Sequence, residues 1–225
     1  MLDCFTTEVN AHVIEITPIT KNSLGDWLNS QTDQLAGWVK KTGFSADPGK
    51  SLILPPNKNG DPSGLLLGTK GKRDFWSWGE AAEKLSPGAY RVGGKEVDAD
   101  LRDAALGWAL GSYTFDRYKP STQIKPKLMV PAAPWLPSIS NTARAVYLTR
   151  DLINTPASDM GPSDLAACAK DIADRFNAEC IVTIGDDLLR DNYPMIHAVG
   201  RASPRAPRLI DIIWGKPDSP KVTLI

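Results

Sequence analysis

Residues 151–165, DLINTPASDMGPSDL, constrain this chain more than any other stretch. An apolar periodicity carried by Val146, Leu148, Leu152 and Ile153 runs into them. Asn154, Thr155 and Pro156 break it, and Gly161, Pro162 and Ser163 set up a second helix start. The sequence preceding this joint reads as one domain and the sequence following it as the beginning of another. Asn154 and Asp159 can hydrogen-bond backbone groups across the break, and Thr155, placed before a proline, is held extended. These roles are structural ones.

Upstream of the joint, residues 12–17 (HVIEIT) form a β-like run closed by Pro18, and Asn22 or Ser23 can cap a following helix. Leu24, Trp27, Leu28, Leu35, Trp38 and Val39 recur at helical spacing and predict one amphipathic helix as far as Lys41. Two further β-like runs, 51–54 and 64–68, flank the turn sequence PPNKNGDPS. A short helix over 76–85, a strand around 90–92 and a helix starting at Asp98 or Asp100 follow. The last carries an apolar stripe of Leu101, Ala104, Ala105, Trp108, Ala109 and Tyr113. Residues 127–130 read as a strand, and PAAPWLP (131–137) as an extended, stiff connection. Strands alternating with amphipathic helices over about 130 residues predict an α/β domain on a mostly parallel or mixed sheet.

Downstream, the pattern predicts a helix carrying Leu165, Cys168, Ile172, Ala173 and Phe176, a strand over 180–184 and a short helical turn at 186–189. Two β-branched runs then follow, 208–214 (RLIDIIW) and 221–225 (KVTLI). The sequence stops inside the second run. Catalytic groups of open α/β sheets gather in loops beyond strand carboxyl ends, so the expectation is a second domain that breaks off early.

The totals exclude several classes. Equal numbers of basic and acidic residues, 26 each, give a net charge of zero and argue against a dedicated nucleic-acid binder. Cys4, Cys168 and Cys180 are odd in number and lack a CxxC pair, which suits a reducing cytosol, with Cys168 and Cys180 packed in the core. The first residues carry acids and lack the basic n-region of an export signal. No apolar run approaches the roughly 20 residues of a membrane span. A soluble cytoplasmic protein without a membrane partner is expected.

Candidate chemical groups each have a structural reading that outweighs the functional one. His12 and His197 are the only histidines and fall in different domains, so they do not suggest a shared metal. No GxSxG elbow accompanies His197. Of Asp186 and Asp187, one is expected to cap the short helix and the other to face water. The segment GTKGKRDF (68–75) lacks the spacing of a phosphate loop and reads as a solvated turn. The run HAVGRASPRAPR (197–208) has three arginines that could hold an anion and is expected to be a solvated loop.

Five stretches carry a resemblance: RDLINTPASDMGPSDLA (150–166), GDDLL (185–189), YPMIHAVGRAS (193–203), APRLIDIIWG (206–215) and PKVTLI (220–225). In order and spacing they resemble the leucyl (cytosol) aminopeptidase family. Ser158 stands where family members usually have Asn. The resemblance implies an amino-terminal macro-domain-like mixed sheet with flanking helices over 1–131, a linker and connecting helix over 132–160, and the first part of an incomplete α/β catalytic domain over 161–225. It also implies a peptide substrate, two divalent ions, zinc or manganese, and a homo-oligomer, usually a hexamer. The family's metal-binding Lys and Asp follow the strand equivalent to KVTLI. No catalytic, metal-binding or substrate-binding residue is therefore expected within these 225 residues, and the chain alone is expected to be inactive. Two other readings are a non-catalytic short paralogue serving as an oligomer or partner-binding subunit, and a ligand- or DNA-binding module.

Overall fold

The computed structural model describes residues 2–7, 13–93 and 98–224. His12 and Ile225 lie outside them. The chain divides into two compact units, residues 1–149 and 150–225.

The first unit is built on strands β1 (Phe5–Thr6) and β2 (Val13–Ile19), helices α1 (Leu24–Asn29) and α2 (Asp33–Lys41), and strands β3 (Ser51–Ile53) and β4 (Leu65–Gly68). Helix α3 (Phe75–Lys84), strand β5 (Ala89–Val92), helix α4 (Asp98–Gly111) and strand β6 (Lys127–Met129) complete the alternation. The six strands form one sheet in the order β1-β6-β5-β2-β4-β3. Every pairing is parallel except β3 with β4, so the sheet is mixed, as the sequence pattern predicts.

Side chains alternate across the strands and feed two cores. Ile16, Leu65, Leu67, Tyr90 and Leu128 face one core with Trp78 and Ala81 of α3 and Ala104, Ala105 and Trp108 of α4. Ile19 and Leu66 face the other, with Val39 of α2 and the partly buried Leu24, Trp27 and Trp38. Trp108 is fully buried; its indole N–H donates to the Pro126 carbonyl at 3.3 Å and its ring lies 5.7 Å from that of Tyr90. Helices α3 and α4 meet through glycines. A Cβ on Gly107 would stand 1.9 Å from the Phe75 carbonyl oxygen, and one on Gly111 would stand 2.1 Å from that of Gly79.

Several expectations are corrected. The single helix predicted to reach Lys41 is two helices, because Thr32 accepts from the Leu35 N–H at 3.4 Å and starts a new one. Pro18 does not close its strand; it pairs with Leu67 inside β2. Ile16 accepts from Gly93 on the β5 side and Ile19 from Thr69 on the β4 side, so Pro18 turns its missing donor toward the side where β5 has already ended at Val92. Tyr113 falls beyond the end of α4 and packs on the Tyr147 ring at 5.3 Å. The stretch 131–137 is not extended throughout, since helix α5 (Leu136–Asn154) begins within it and takes Pro137 at its second position. The run 68–75 is a turn whose Asp74 caps α3, accepting from the Ser77 N–H, the Ser77 hydroxyl and the Lys70 N–H.

The second unit comprises the end of α5, helix α6 (Pro162–Phe176), strand β7 (Glu179–Ile184), helices α7 (Asp187–Arg190) and α8 (Pro194–Gly200), and strand β8 (Arg208–Ile213). Strands β7 and β8 pair antiparallel, from Glu179↔Ile213 to Ile184↔Arg208. Helix α6 ends on Asn177 in the left-handed conformation, φ 52°. The Trp214 indole N–H reaches back to the Phe176 carbonyl at 3.1 Å. The predicted strand at 221–225 does not form over its described residues. Val222 is 83% and Leu224 92% exposed, so the run buries too little to offset the entropy of ordering it. Among the described residues no helix is long and apolar enough to cross a membrane.

Candidate functional site

The joint closes α5 through Thr155, whose N–H and hydroxyl both donate to the Asp151 carbonyl, at 3.0 and 2.6 Å. The chain then turns on Pro156, whose carbonyl accepts from Asp159 and Met160. Gly161 has no side chain with which to cap α6. Asp164 supplies the capping contact instead, accepting from the Gly161 N–H at 2.9 Å, and Pro162 occupies the first helical turn.

Arg205 holds this turn from the other end of the unit. Its guanidinium donates from Nη1 to the Ala157 carbonyl at 2.6 Å and from Nη2 to the Ser158 carbonyl at 2.7 Å. A Cβ on Gly161 would stand 2.5 Å from the Arg205 Nη1, so any larger residue there would have to displace the end of the Arg205 side chain. The expected solvated loop at 197–208 is corrected twice. His197 to Gly200 are helical, in α8, and Arg205 is engaged by carbonyl oxygens and is not available to an anion.

Between α6, α8 and β8 lies an open groove of about 750 Å³, lined by Met160, Pro162, Leu165, Met195, Val199 and Ile210 together with Arg205 and Arg208. Arg208 Nε is buried and has no hydrogen-bond partner.

The acidic pair divides differently from expectation. Asp186 holds the N-cap position of α7 without a side-chain cap, and its exposed carboxylate meets Nε2 of the mostly buried His197 at 3.1 Å. Asp187 does not simply face water; it pairs with Arg190 one turn later. Cys168 and Cys180 are partly exposed rather than fully buried, and both are free thiols. The contacts of His197 and Arg205 were invisible to sequence reasoning because their partners lie 11 and 47–48 residues away. A usable signal existed for α8: Pro194 at its start and the four-residue spacing of Met195 and Val199.

Among the described residues no three His, Cys, Asp or Glu side chains converge as metal ligands would. The Asp186–His197 pair offers two donors where a two-metal centre needs four or five, so the residues present do not fit such a centre.

Residues 14–131 match the profile of the M17 aminopeptidase N-terminal domain, and residues 147–225 match the catalytic domain of the cytosol aminopeptidase family. The chain belongs to the M17 aminopeptidase family. This M17 chain is 29% identical to a probable cytosol aminopeptidase of Wolinella succinogenes over 93% of its own length and 46% of the relative's. It superposes on the crystal structure of a cytosol aminopeptidase from Coxiella burnetii with a TM-score of 0.84 and 36% identity, covering 97% of this chain and 48% of that one. A bottromycin maturation enzyme in complex with Mn shares the fold at a TM-score of 0.71 and 20% identity. The M17 chain thus spans about half the length of the relatives it matches.

Proposed function

We propose that these residues form the N-terminal domain (1–131), the connecting segment (132–160) and the opening of the catalytic domain (161–225) of a metal-dependent aminopeptidase that releases N-terminal residues from peptides. The observation that carries this reading is the catalytic-domain match over 147–225, which takes in the Arg205-clamped joint, the groove and the β7–β8 pair. The metal ligands are assigned to polypeptide outside these residues, since the relatives are about twice as long. Two divalent ions would supply Lewis-acid polarisation of the scissile carbonyl and a hydroxide at neutral pH. The contribution of the present residues is architectural: Arg205, Gly161 and Asp164 fix the turn from which α6 starts.

A solved relative in complex with Mn supports manganese as the first ion to test, with zinc as the alternative. Naming of the relatives as cytosol aminopeptidases supports a cytoplasmic setting. A homo-oligomer, as the family resemblance implies, is part of the same proposal.

The test is hydrolysis of a leucine chromogenic amide. The full-length polypeptide is expected to turn over substrate with added manganese and to lose activity to a chelator. The 225-residue chain is expected to show none. Metal-dependent turnover by the 225-residue chain at an ordinary enzymic rate, about 1 s⁻¹ or more, would overturn the assignment of the ligands.

A further inference from the structure

We infer that the cleft between α2 and the loop joining β3 to β4 binds a short linear peptide with free termini, about three residues long, its amine at Asp33 and its carboxylate at Lys41. The cleft belongs to the first unit, and its occupant is independent of the function proposed above.

The cleft encloses about 600 Å³, within the roughly 300–1,000 Å³ of small-ligand sites. Gly37 and Trp38 of α2 line it on one side, and Pro55 and Pro56 on the other. Both walls are in place before any ligand arrives. Val39 anchors α2 in the core beneath it. The Pro55 carbonyl accepts from the Ser63 N–H at 3.1 Å, and Pro56 bridges Pro62. The Asn57 side chain accepts from the Asn59 and Asp61 N–H groups at 2.8 and 3.2 Å. Binding therefore orders little of the protein, which favours a small ligand.

The fold does not account for Gly37. Glycine in a helix interior is destabilising relative to alanine. Gly107 and Gly111 are each explained by a backbone oxygen that a Cβ would strike, but a Cβ at Gly37 would meet nothing within 4 Å. Nor is its φ positive. The missing side chain instead bares the α2 backbone midway along the cleft, where a ligand's main chain can lie close.

Charge sets the ends of the ligand. Asp33, Gly37 and Lys41 follow at four-residue steps, so both charges share the helix face that lines the cleft. Among the described residues neither forms an ion pair. Their signs suit the helix dipole as well, but the dipole explains neither the cleft nor the bare backbone between them. Eight residues of helix separate them by about 12 Å. An extended tripeptide spans about 10 Å, and the two side chains close the remainder. A free amino acid, whose amine and carboxylate flank one carbon, cannot reach both. Gln34 offers an amide donor and acceptor to the intervening peptide groups, and Trp38 and the prolines offer apolar contact to a side chain.

The experiment uses the full-length polypeptide that contains these residues, with a chelator present so that metal-dependent hydrolysis does not consume the probe. The probe is a tripeptide with free termini and a diazirine on its middle side chain, and mass spectrometry locates the photolabel. Label is expected within residues 32–41 or 55–63. Trialanine should compete for it at least about tenfold better than N-acetyl-trialanine or trialanine amide. No label, label confined to other residues, or equal competition by the blocked peptides would overturn the inference. Asp33→Asn should abolish the preference for the free amine alone, and Lys41→Gln the preference for the free carboxylate alone. Preferences that survive these changes would overturn it. Gly37→Leu fills the floor of the cleft and is expected to cut the label at least about tenfold without lowering the thermal midpoint. Full labelling of that variant would overturn the inference, and the competition on unsubstituted protein decides it without any variant.

Discussion

Arg205 and Ala157 are 48 residues apart in sequence and joined by a 2.6 Å hydrogen bond from guanidinium to carbonyl. The neighbouring Ser158 carbonyl takes a second bond from the same fork. The joint is thus shaped as much by a side chain from the far end of its unit as by its own prolines and glycine.

Arg205→Ala is expected to cost about 1 kcal/mol, below the roughly 1.5–3 kcal/mol of hydrogen bonds to charged groups because water competes at this exposed site. Arg205→Lys, which cannot span both carbonyls, should fall between. Urea denaturation measures the cost, and hydrogen exchange at residues 157–161 should quicken by about tenfold. Unchanged exchange in Arg205→Ala would show that the turn holds itself.

Gly107→Ala sets two effects against each other. Helix propensity alone favours alanine by about 1 kcal/mol. The added Cβ would meet the Phe75 carbonyl oxygen at 1.9 Å and the Trp78 Cβ at 2.9 Å, and α3 cannot yield without disturbing the core beneath it. A net loss of about 3 kcal/mol or more is expected, read as a fall in the thermal midpoint. A stabilised variant would mean that the two helices separate freely.

Asp74→Ala removes a buried cap that serves two backbone N–H groups and the Ser77 hydroxyl. About 2 kcal/mol is expected, with Asp74→Asn retaining part of the stabilisation. Chemical denaturation of the two variants checks the order.

Burial pushes the Cys4 thiol up to about 11 from its ordinary 9.0. A raised acid means that the folded state keeps its proton where the unfolded chain has lost it. The associated stability is complete below pH 9.0 and declines as pH rises through about 11. The loss across that window is on the order of 3 kcal/mol, because each tenfold change in proton affinity is worth about 1.4 kcal/mol. Cys4→Ala should flatten the alkaline limb of stability against pH. At pH 8 the native protein should be alkylated at Cys168 and Cys180 well before Cys4.

Much of the fold was legible because it is local. The alternation of apolar runs and amphipathic stretches located most strands and helices, since period two and period 3.6 are written by neighbouring residues. It misjudged residues 24–41, where a continuous apolar face hid the cap at Thr32, and 197–200, where the second half of a seven-residue helix was expected to be loop. It also treated Pro18 as a terminator, because whether a missing N–H matters depends on which neighbouring strand has already ended.

The candidate site was less legible. Sequence marked Asp186, His197 and the arginines of 197–208 as polar groups worth attention, yet none of their residue types names a partner. Only folding brought Asp186 to His197 and Arg205 to the joint, and left Arg208 unpaired beside an apolar groove.

By itself the sequence determined the α/β alternation, the break at 151–165 and the family motifs that run through it, because each is set by residues close in the chain. Tertiary structure alone decided the strand order β1-β6-β5-β2-β4-β3, the glycine-to-backbone contact of α3 with α4, and the clamp on the joint. Those depend on contacts between residues far apart in sequence, whose free energy comes from burial and hydrogen bonds made only after the chain has closed the loops between them.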